Sequence, residues 1–231
     1  ACECVSAIFK AGITPSALEF MERDAIQITE KHVDSISFEI DPLDEAHLLI
    51  EVDGAEESEL MAQCEIISAT LEQFEIGDVL FADSEAQKNE LWKLRRKVGE
   101  AVKMESTYKE EDTVVPRYRL PDLLEKVKAL GKSYGFRTVC YGHAGDGNLH
   151  VNILRDDLSE AWWSTELPKA IRELFEFTVS IGGTLSGEHG IGLVQRDYMD
   201  IAFSETELSL FQGVKDAFDP NGILNPGKVL V

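Results

Sequence analysis

Two apolar segments joined by a short glycine-rich loop are the feature that most constrains the fold of this chain. Residues 136–141 and 149–154 have the composition of buried strands, and residues 142–148 connect them. A connection this short joins antiparallel neighbours, because parallel strands need a crossover of about a dozen residues or more. The sequence therefore predicts an antiparallel pair of strands.

Apolar residues with helical spacing occur on both sides of this pair. Between Glu56 and Phe74, for example, they recur at intervals of three and four residues, which is typical of an amphipathic helix. Few strands and several such helices favour an α+β fold of ferredoxin-like type, with a mostly antiparallel sheet covered by helices. A doubly wound parallel sheet is the weaker alternative.

The other predicted elements follow from the same periodicity and from capping and turn residues. Helices are predicted from Pro15 or Ser16 to His32, from the N-cap Ser84 to Met104, from Leu120 to a stop at Gly135, and from Leu167 to Ile181. Strands are predicted at 47–52 and 79–81, and two short helices precede a turn at 219–222.

Charge and cysteine content limit the classes of partner. The chain has 43 acidic and 22 basic residues, a formal net charge of −21. Such a surface repels a phosphate backbone, so nucleic-acid binding is not expected, and an anionic substrate needs locally placed cations. No apolar run is long enough for a predicted membrane span. The four cysteines include no CxxC pair and the N-terminus has no signal-peptide pattern, which favours the cytoplasm.

Histidines concentrate in two glycine-rich stretches. His143 and His150 flank the loop between the apolar segments, and His189 follows Glu188 in a second loop, Ser186–Gly190. Glycines allow sharp turns and the close approach of a ligand, so the two imidazoles can converge. With Glu188 they form a set of two imidazoles and one carboxylate, as in catalytic divalent-metal sites with open positions. The alternative is a pair of tight turns with incidental histidines.

Five motifs carry a resemblance to a known family. They are residues 91–95 (LWKLR), 111–116 (EDTVVP), 141–150 (YGHAGDGNLH), 186–192 (SGEHGIG) and 219–228 (DPNGILNPGK). In this order they resemble the C-terminal domain of FAD-linked oxidases. That group contains glycolate oxidase, D-lactate dehydrogenase and D-2-hydroxyglutarate dehydrogenase. The resemblance extends over nearly the whole chain.

The resemblance implies a metal and a catalytic base. His143, His150 and Glu188 match the ligands of a divalent metal ion: zinc, manganese or iron. His189 matches the base that takes the hydroxyl proton of a 2-hydroxyacid before its C–H hydride passes to flavin. The expected activity is therefore the FAD-dependent oxidation of a 2-hydroxyacid to the 2-oxoacid.

The resemblance also implies substrate and cofactor contacts. Arg95 matches the residue that binds the substrate carboxylate, Asn152 matches another substrate-binding residue, and Asn225 lies in the motif that approaches the flavin. FAD would be held mainly by an N-terminal domain with no counterpart in this sequence, and electron-transfer subunits are further expected partners. Residues 1–231, which lack an initiator methionine, are thus expected to be the C-terminal substrate- and metal-binding domain of a longer protein.

The sequence departs from the dicarboxylate-specific members of the family at two positions. Those members have a threonine four residues after the arginine and a lysine some fifteen residues after it. Gly99 and Glu110 occupy these places here, and Lys109 is one step out of register. We therefore expect glycolate or D-lactate as the substrate, with D-2-hydroxyglutarate as the alternative.

Two other classes of function remain open. A metal-dependent hydrolase could use His143, His150 and Glu188 to activate water, and would need no flavin. A non-catalytic interaction module could keep the fold without the chemistry, and should then purify without metal.

Overall fold

The structure, a computed structural model, describes residues 1–33, 41 and 43–230. In that part of the chain the strands are β1 (Ala17–Glu22), β2 (Ala46–Glu51), β3 (Tyr108–Val114), β4 (Arg137–Gly142) and β5 (Asn148–Leu154). The helices are α1 (Cys2–Lys10), α2 (Arg23–His32), α3 (Glu57–Leu71), α4 (Glu85–Glu105), α5 (Leu120–Tyr134), α6 (Glu160–Thr165), α7 (Leu167–Ser180), α8 (Met199–Ala202) and α9 (Glu205–Phe218).

The five described strands form one sheet in the order β2-β1-β4-β5-β3. Each neighbouring pair among them is antiparallel, including the predicted pair β4 and β5. Helices cover the sheet, so the α+β prediction with an antiparallel sheet is confirmed and the doubly wound parallel alternative is wrong. The glycine-rich loop at 142–148 lies at the end of the β4–β5 hairpin.

The two faces of the sheet bury different helices. Leu149, Val151 and Ile153 of β5 point into the larger core, which also contains residues of α1, α5 and α7. The smaller core lies on the other face and includes residues of α2 and α4. Because side chains alternate along a strand, His150 and Asn152 share the face of the smaller core. The chemically active residues of β5 thus lie on the α4 side of the sheet.

The predicted helix from Pro15 or Ser16 to His32 is wrong in its first half. The segment Ala17–Glu22 is β1, and a helix begins only at Arg23. Leu18 and Phe20 of β1 pack in the larger core and Met21 packs in the smaller core, so both faces of the strand are buried and the alternation of a half-exposed strand is missing from the sequence. The intervals of three and four residues between apolar positions were then compatible with a helix.

Two further differences concern strands. Residues 79–81 were predicted to form a strand, but no strand occurs there, and Val79, Leu80 and Phe81 are 62 %, 51 % and 58 % exposed. Conversely, β3 was not predicted, because its run of charged residues lacks a strand-like apolar pattern. β3 pairs along its whole length with β5, and this pairing outweighs the local preference.

Most helix predictions are confirmed. Ser84 caps α4 by accepting a hydrogen bond from the backbone N–H of Gln87, and Gly135 ends α5 in the left-handed conformation with φ of 79°. Of the two short helices predicted before the 219–222 turn, α8 is short and α9 has 14 residues. None of the helices in the described residues combines the length and apolar composition needed to span a membrane.

Candidate metal and substrate site

Two loops meet at the end of the β5–β3 pair. The first is the 142–148 loop, and the second follows α7 and is held to β3 by an isolated bridge between Val114 and Thr184. Gly147 has φ of 77°, and a Cβ there would collide with the carbonyl of Val115. Glycine is therefore required for the first loop to fold back against β3.

The three residues predicted to bind a metal converge. Glu188 Oε1 lies 3.5 Å from His143 Nε2 and 3.3 Å from His150 Nε2. One potential ligand atom from each residue lies within 4.8 Å of the other two. The two imidazole rings are nearly perpendicular, with centroids 5.7 Å apart. One small cation between these atoms could contact all three side chains.

Hydrogen bonding sets the tautomer of His143. Its Nδ1 lies 2.8 Å from Oε1 of Glu19, a buried residue of β1. A carboxylate only accepts, so Nδ1 carries the proton and the Nε2 lone pair faces Glu188. The same hydrogen bond raises the pKa of His143, so protons compete with a metal for this imidazole at low pH.

His150 is a neutral imidazole. Burial lowers its pKa to about 4, although the negative charges of Asp112 and Glu188 oppose the shift. Its Nδ1 is buried with no hydrogen-bond partner among the described residues. Two imidazoles and a carboxylate are ligands that suit zinc, manganese or iron and leave coordination positions open for a substrate. The residues present therefore fit a divalent metal.

Asp112 joins the two loops. Its Oδ2 accepts hydrogen bonds from the backbone N–H groups of Glu188 and His189, both at 2.7 Å, and from Ser186 Oγ at 3.0 Å. Its Oδ1 accepts from Asn148 Nδ2 at 2.6 Å. Burial raises the pKa of the Asp112 carboxyl, but these hydrogen bonds outweigh it and bring the pKa down to about 2. One ionised carboxylate thus fixes the backbone beside Glu188.

His189, the predicted base, lies on the open side of the site. Its ring stacks on His150, with centroids 5.3 Å apart and planes 25° apart. The residue is exposed, and no hydrogen bond between described residues uses its ring nitrogens. Glu110, His150 and His189 also form a group with ligand atoms within 4.8 Å of one another. His189 therefore has a fixed backbone and an imidazole that can accept a proton.

Arg95 reaches the site from α4. Its Nε lies 2.8 Å from Oε2 of Glu19, and its guanidinium lies over the ring of Tyr141 at 5.1 Å from the centroid. The hydrogen bond from Arg95 to Glu19 uses Nε. Burial raises the pKa of Glu19, but the hydrogen bond with His143 and the charge of Arg95 outweigh it, so the carboxylate is ionised. The structure thus brings Arg95 next to His143.

Asn152 lies two residues after His150 on the same face of β5. It is fully buried, and its Nδ2 donates to the carbonyl of Val139 at 3.2 Å. Its Oδ1 has no partner among the described residues, which leaves a buried acceptor unsatisfied. Nearby, burial raises the pKa of Tyr141 to about 12, and the charge of Glu110 adds to the shift.

None of the hydrogen bonds among the described residues joins the Asn225 side chain to this cluster. Its side chain accepts a hydrogen bond from Lys228 Nζ at 3.1 Å, and its backbone has the left-handed φ of 46°. The C-terminal segment contacts the chain after the second loop, where Val229 N donates to the carbonyl of Gly192. A flavin contact of Asn225 stays a prediction.

Sequence reasoning missed three carboxylates of the site. Glu19 was placed in a helix, while Asp112 and Glu110 had no assigned role beside the metal. A signal existed for Glu19, because an acidic residue between the apolar pairs Ala17-Leu18 and Phe20-Met21 is costly to bury unless it has partners. The contacts of Asp112 depend on the pairing of β3 with the distant strand β5, so no local sequence pattern around Asp112 indicated them.

Comparison with known protein families shows which family this chain belongs to. The sequence profile described as "FAD linked oxidases, C-terminal domain" matches residues 1–229. The chain belongs to this family. Its curated relatives are FAD-linked oxidoreductases. They include a D-lactate dehydrogenase of Anaerostipes hadrus, 33 % identical, and the glycolate oxidase subunit GlcD of Escherichia coli strain K12, 36 % identical. A D-2-hydroxyglutarate dehydrogenase of Stutzerimonas stutzeri is 34 % identical.

The FAD-linked oxidase domain spans about half the length of these relatives. The matches cover 98 %, 97 % and 79 % of the chain, and 49 %, 44 % and 40 % of the three relatives. Among solved structures, p-cresol methylhydroxylase with substrate bound has a TM-score of 0.66 at 11 % identity, over 99 % of this chain and 50 % of that one. At this identity the likeness concerns the fold alone.

Proposed function

We propose that the protein is an FAD-dependent 2-hydroxyacid oxidoreductase and that this chain is its substrate- and metal-binding domain. One observation carries the proposal: the metal-ligand set of His143, His150 and Glu188 lies beside an accessible imidazole, His189, and a cation, Arg95. A 2-hydroxyacid needs these three functions, since it has a hydroxyl and a carboxylate to bind and a proton to lose.

His143, His150 and Glu188 would hold the metal. When bound, the metal would polarise the hydroxyl and carboxylate oxygens of the acid, and flavin would accept the hydride from C2. The protein fixes its own ligands through Glu19 and Asp112, so that little rearrangement is needed when the substrate arrives.

The chain's other residues orient the acid and move its proton. Arg95 offers its Nη groups to the substrate carboxylate, and a guanidinium can bind a carboxylate through two parallel hydrogen bonds. His189 takes the hydroxyl proton, because its exposed imidazole lies beside His150 and can act as a general base. Asn152 is a further proposed substrate contact, in which its buried and unpaired Oδ1 would accept from the substrate once it becomes accessible. Together they favour the geometry in which the hydride leaves C2.

Charge at the site favours a monocarboxylate. Glu110 Oε1 lies 3.4 Å from His150 Nδ1, and Glu110 is directly opposite Asn152 in the β3–β5 register. A second substrate carboxylate near this side chain would meet a like charge. In addition, Gly99 lies beside the hydroxyl of Tyr141 and has no side-chain hydroxyl that could bind a second substrate carboxylate. We therefore favour glycolate or D-lactate, with D-2-hydroxyglutarate as the alternative.

Residues outside this chain would complete the enzyme. Because the chain spans about half of its relatives, we propose that an N-terminal domain holds most of the FAD and that Asn225 approaches the flavin from this side. Electron-transfer subunits would receive the electrons. All four cysteines are unpaired, which suits the reducing cytoplasm that we propose as the compartment.

A substrate screen of the protein as its gene encodes it tests the proposal. Glycolate, D-lactate and D-2-hydroxyglutarate are each supplied with a dye as electron acceptor, with the L-lactate enantiomer as control. We expect dye reduction with glycolate or D-lactate that is lost after chelation and restored by a divalent metal. Hydrolytic activity without flavin would favour the hydrolase class, and purification of a metal-free, inactive protein would favour the interaction module.

A further inference from the structure

Glu19 uses its two carboxylate oxygens for two different functional side chains. Oε1 accepts from His143 Nδ1 and Oε2 accepts from Arg95 Nε, both at 2.8 Å. Glu19 is 4 % exposed and comes from β1, far along the chain from both glycine-rich loops. It is therefore a buried bridge between a metal ligand and the proposed carboxylate-binding residue.

The two contacts act on different properties of the site. The contact with His143 keeps the proton on Nδ1 and directs the Nε2 lone pair to the metal position. The contact with Arg95 holds one edge of the guanidinium, so that the Nη groups are oriented before an anion arrives. Side-chain entropy that would otherwise be lost when the substrate binds is lost on folding instead.

The bridge also makes the two contacts interdependent. A cation at Nε2 polarises the imidazole and makes the Nδ1 proton a stronger donor to Glu19. Negative charge on Glu19 is then drawn towards His143, so Glu19 neutralises less of the guanidinium charge while its hydrogen bond to Nε still orients Arg95. Arg95 becomes better able to accept a new carboxylate through its Nη groups. Binding of metal and binding of an anion at Arg95 should therefore favour each other.

We propose that Glu19 is a positioning residue that couples metal binding at His143 to carboxylate binding at Arg95. The inference rests on the proposed function, because it takes the metal triad and the carboxylate-binding role of Arg95 from there. It adds a residue of β1 to the site and a thermodynamic link between two ligands.

The chain contains a matched control for this role. Glu22 lies three residues away on β1 and is 6 % exposed. It accepts from Lys128 Nζ and from the backbone N–H of Cys140, both at 2.7 Å. None of its described hydrogen bonds or ion pairs involves His143 or Arg95. Loss of the Glu22 charge thus reproduces the general cost of removing a buried carboxylate without touching the bridge.

Calorimetric titration of the metal-free protein with Mn²⁺, with and without saturating pyruvate, tests the coupling. Pyruvate has a carboxylate and a neighbouring oxygen but is not oxidised by hydride loss. In the unmodified protein we expect pyruvate to tighten Mn²⁺ binding several-fold, and Mn²⁺ to tighten pyruvate binding by the same factor. In Glu19→Gln, Mn²⁺ binding should weaken about 10- to 100-fold, and the effect of pyruvate should fall to the part that direct contact between pyruvate and Mn²⁺ supplies.

The variants separate the alternatives. Glu22→Gln should keep both the Mn²⁺ affinity and the effect of pyruvate. Glu19→Asp keeps the buried charge but is one methylene shorter, so it should also reduce the effect of pyruvate on Mn²⁺ binding. It replaces Glu19→Gln if that variant does not fold. A folded Glu19 variant with unchanged coupling overturns the inference while leaving the metal site intact. Failure of the unmodified protein to bind Mn²⁺ contradicts the proposed metal site itself.

Discussion

The carboxylate of Asp112 accepts a hydrogen bond from the backbone N–H of His189 at 2.7 Å. The same oxygen accepts from the N–H of Glu188, so a single buried atom positions a proposed metal ligand and the proposed base. Neither of these residues is held by regular secondary structure. The geometry of the second loop therefore depends on one side chain of β3.

Replacement of Asp112 by asparagine should destabilise the protein in a pH-dependent way. The folded pKa of about 2 lies below the ordinary 3.8, so ionised Asp112 stabilises the fold above about pH 4, and this contribution is lost as the pH falls towards 2. The shift corresponds to about 2 kcal/mol. In urea denaturation, the free energy of unfolding of Asp112→Asn should be lower than that of the unmodified protein by this amount at pH 7, and by less near pH 3. Asp216→Asn, at an exposed position of α9, should have little effect at either pH.

The metal prediction concerns His143 and His150. We expect about one divalent ion per chain in metal-saturated, desalted protein, and much less in the His143→Ala/His150→Ala double variant, because each change removes an imidazole ligand. Elemental analysis measures the content. His47→Ala is the control, since His47 lies on β2 and forms an ion pair with Asp44 and not with a residue of the proposed metal site. Equal metal content in the double variant and the unmodified protein would show that these residues are not ligands.

His189 should matter for turnover far more than for stability. Its side chain is exposed and leaves little cavity when shortened, whereas loss of a general base typically costs 10²-fold or more in rate. In the protein as its gene encodes it, His189→Asn should therefore lower kcat by about 10²-fold or more. Flavin content, metal content and Tm should remain close to those of the unmodified protein. A variant with nearly normal kcat would exclude the assigned role.

Glu110 should restrict the length and charge of the substrate. Glu110→Gln removes a negative charge beside His150 and should improve kcat/KM for D-2-hydroxyglutarate relative to D-lactate by about tenfold, on the order of one partly screened charge repulsion. Steady-state kinetics with both acids measure the ratio. Glu100→Gln, on the exposed side of α4, is the control. An unchanged ratio would mean that the second carboxylate does not approach β3.

The chain alone should not hold FAD. The pyrophosphate of the cofactor needs backbone donors at a glycine-rich turn or helix N-terminus together with positive charge, whereas this chain carries a net charge of −21. Contact with the flavin edge alone would not offset the entropy lost on association. Equilibrium dialysis of residues 1–231 with FAD measures this directly. Micromolar or tighter binding would contradict the prediction and show that residues 1–231 themselves contain an FAD site.

Local patterns predicted the elements that have a local cause. The glycine-rich loop after Tyr141 indicated the central hairpin, and Ser84 and Gly135 marked helix ends, because turn and cap chemistry depends on a few neighbouring residues. The convergence of His143 and His150 also follows from one short loop. These predictions needed no knowledge of distant contacts.

The remaining elements depend on contacts between distant segments. β1 and β3 form strands because they pair with β4 and β5, and the sequence of β3 alone, rich in charged residues, does not favour a strand. For that reason Asp112 could not be assigned to the site beforehand, and the sequence around Glu19 indicated a need for partners without identifying them. The approach of Arg95 to His143 followed from family resemblance, and its physical cause, the shared carboxylate, became visible only in three dimensions.

The sheet order has a consequence for folding. Glu19, Arg95, Asp112, His150 and Glu188 come from five separate stretches of the chain, and β1 meets β4 only after more than a hundred intervening residues are in place. No fragment that lacks one of these stretches can assemble the pocket. A bound ion would therefore favour the folded chain over partly folded forms in which the two glycine-rich loops are still apart.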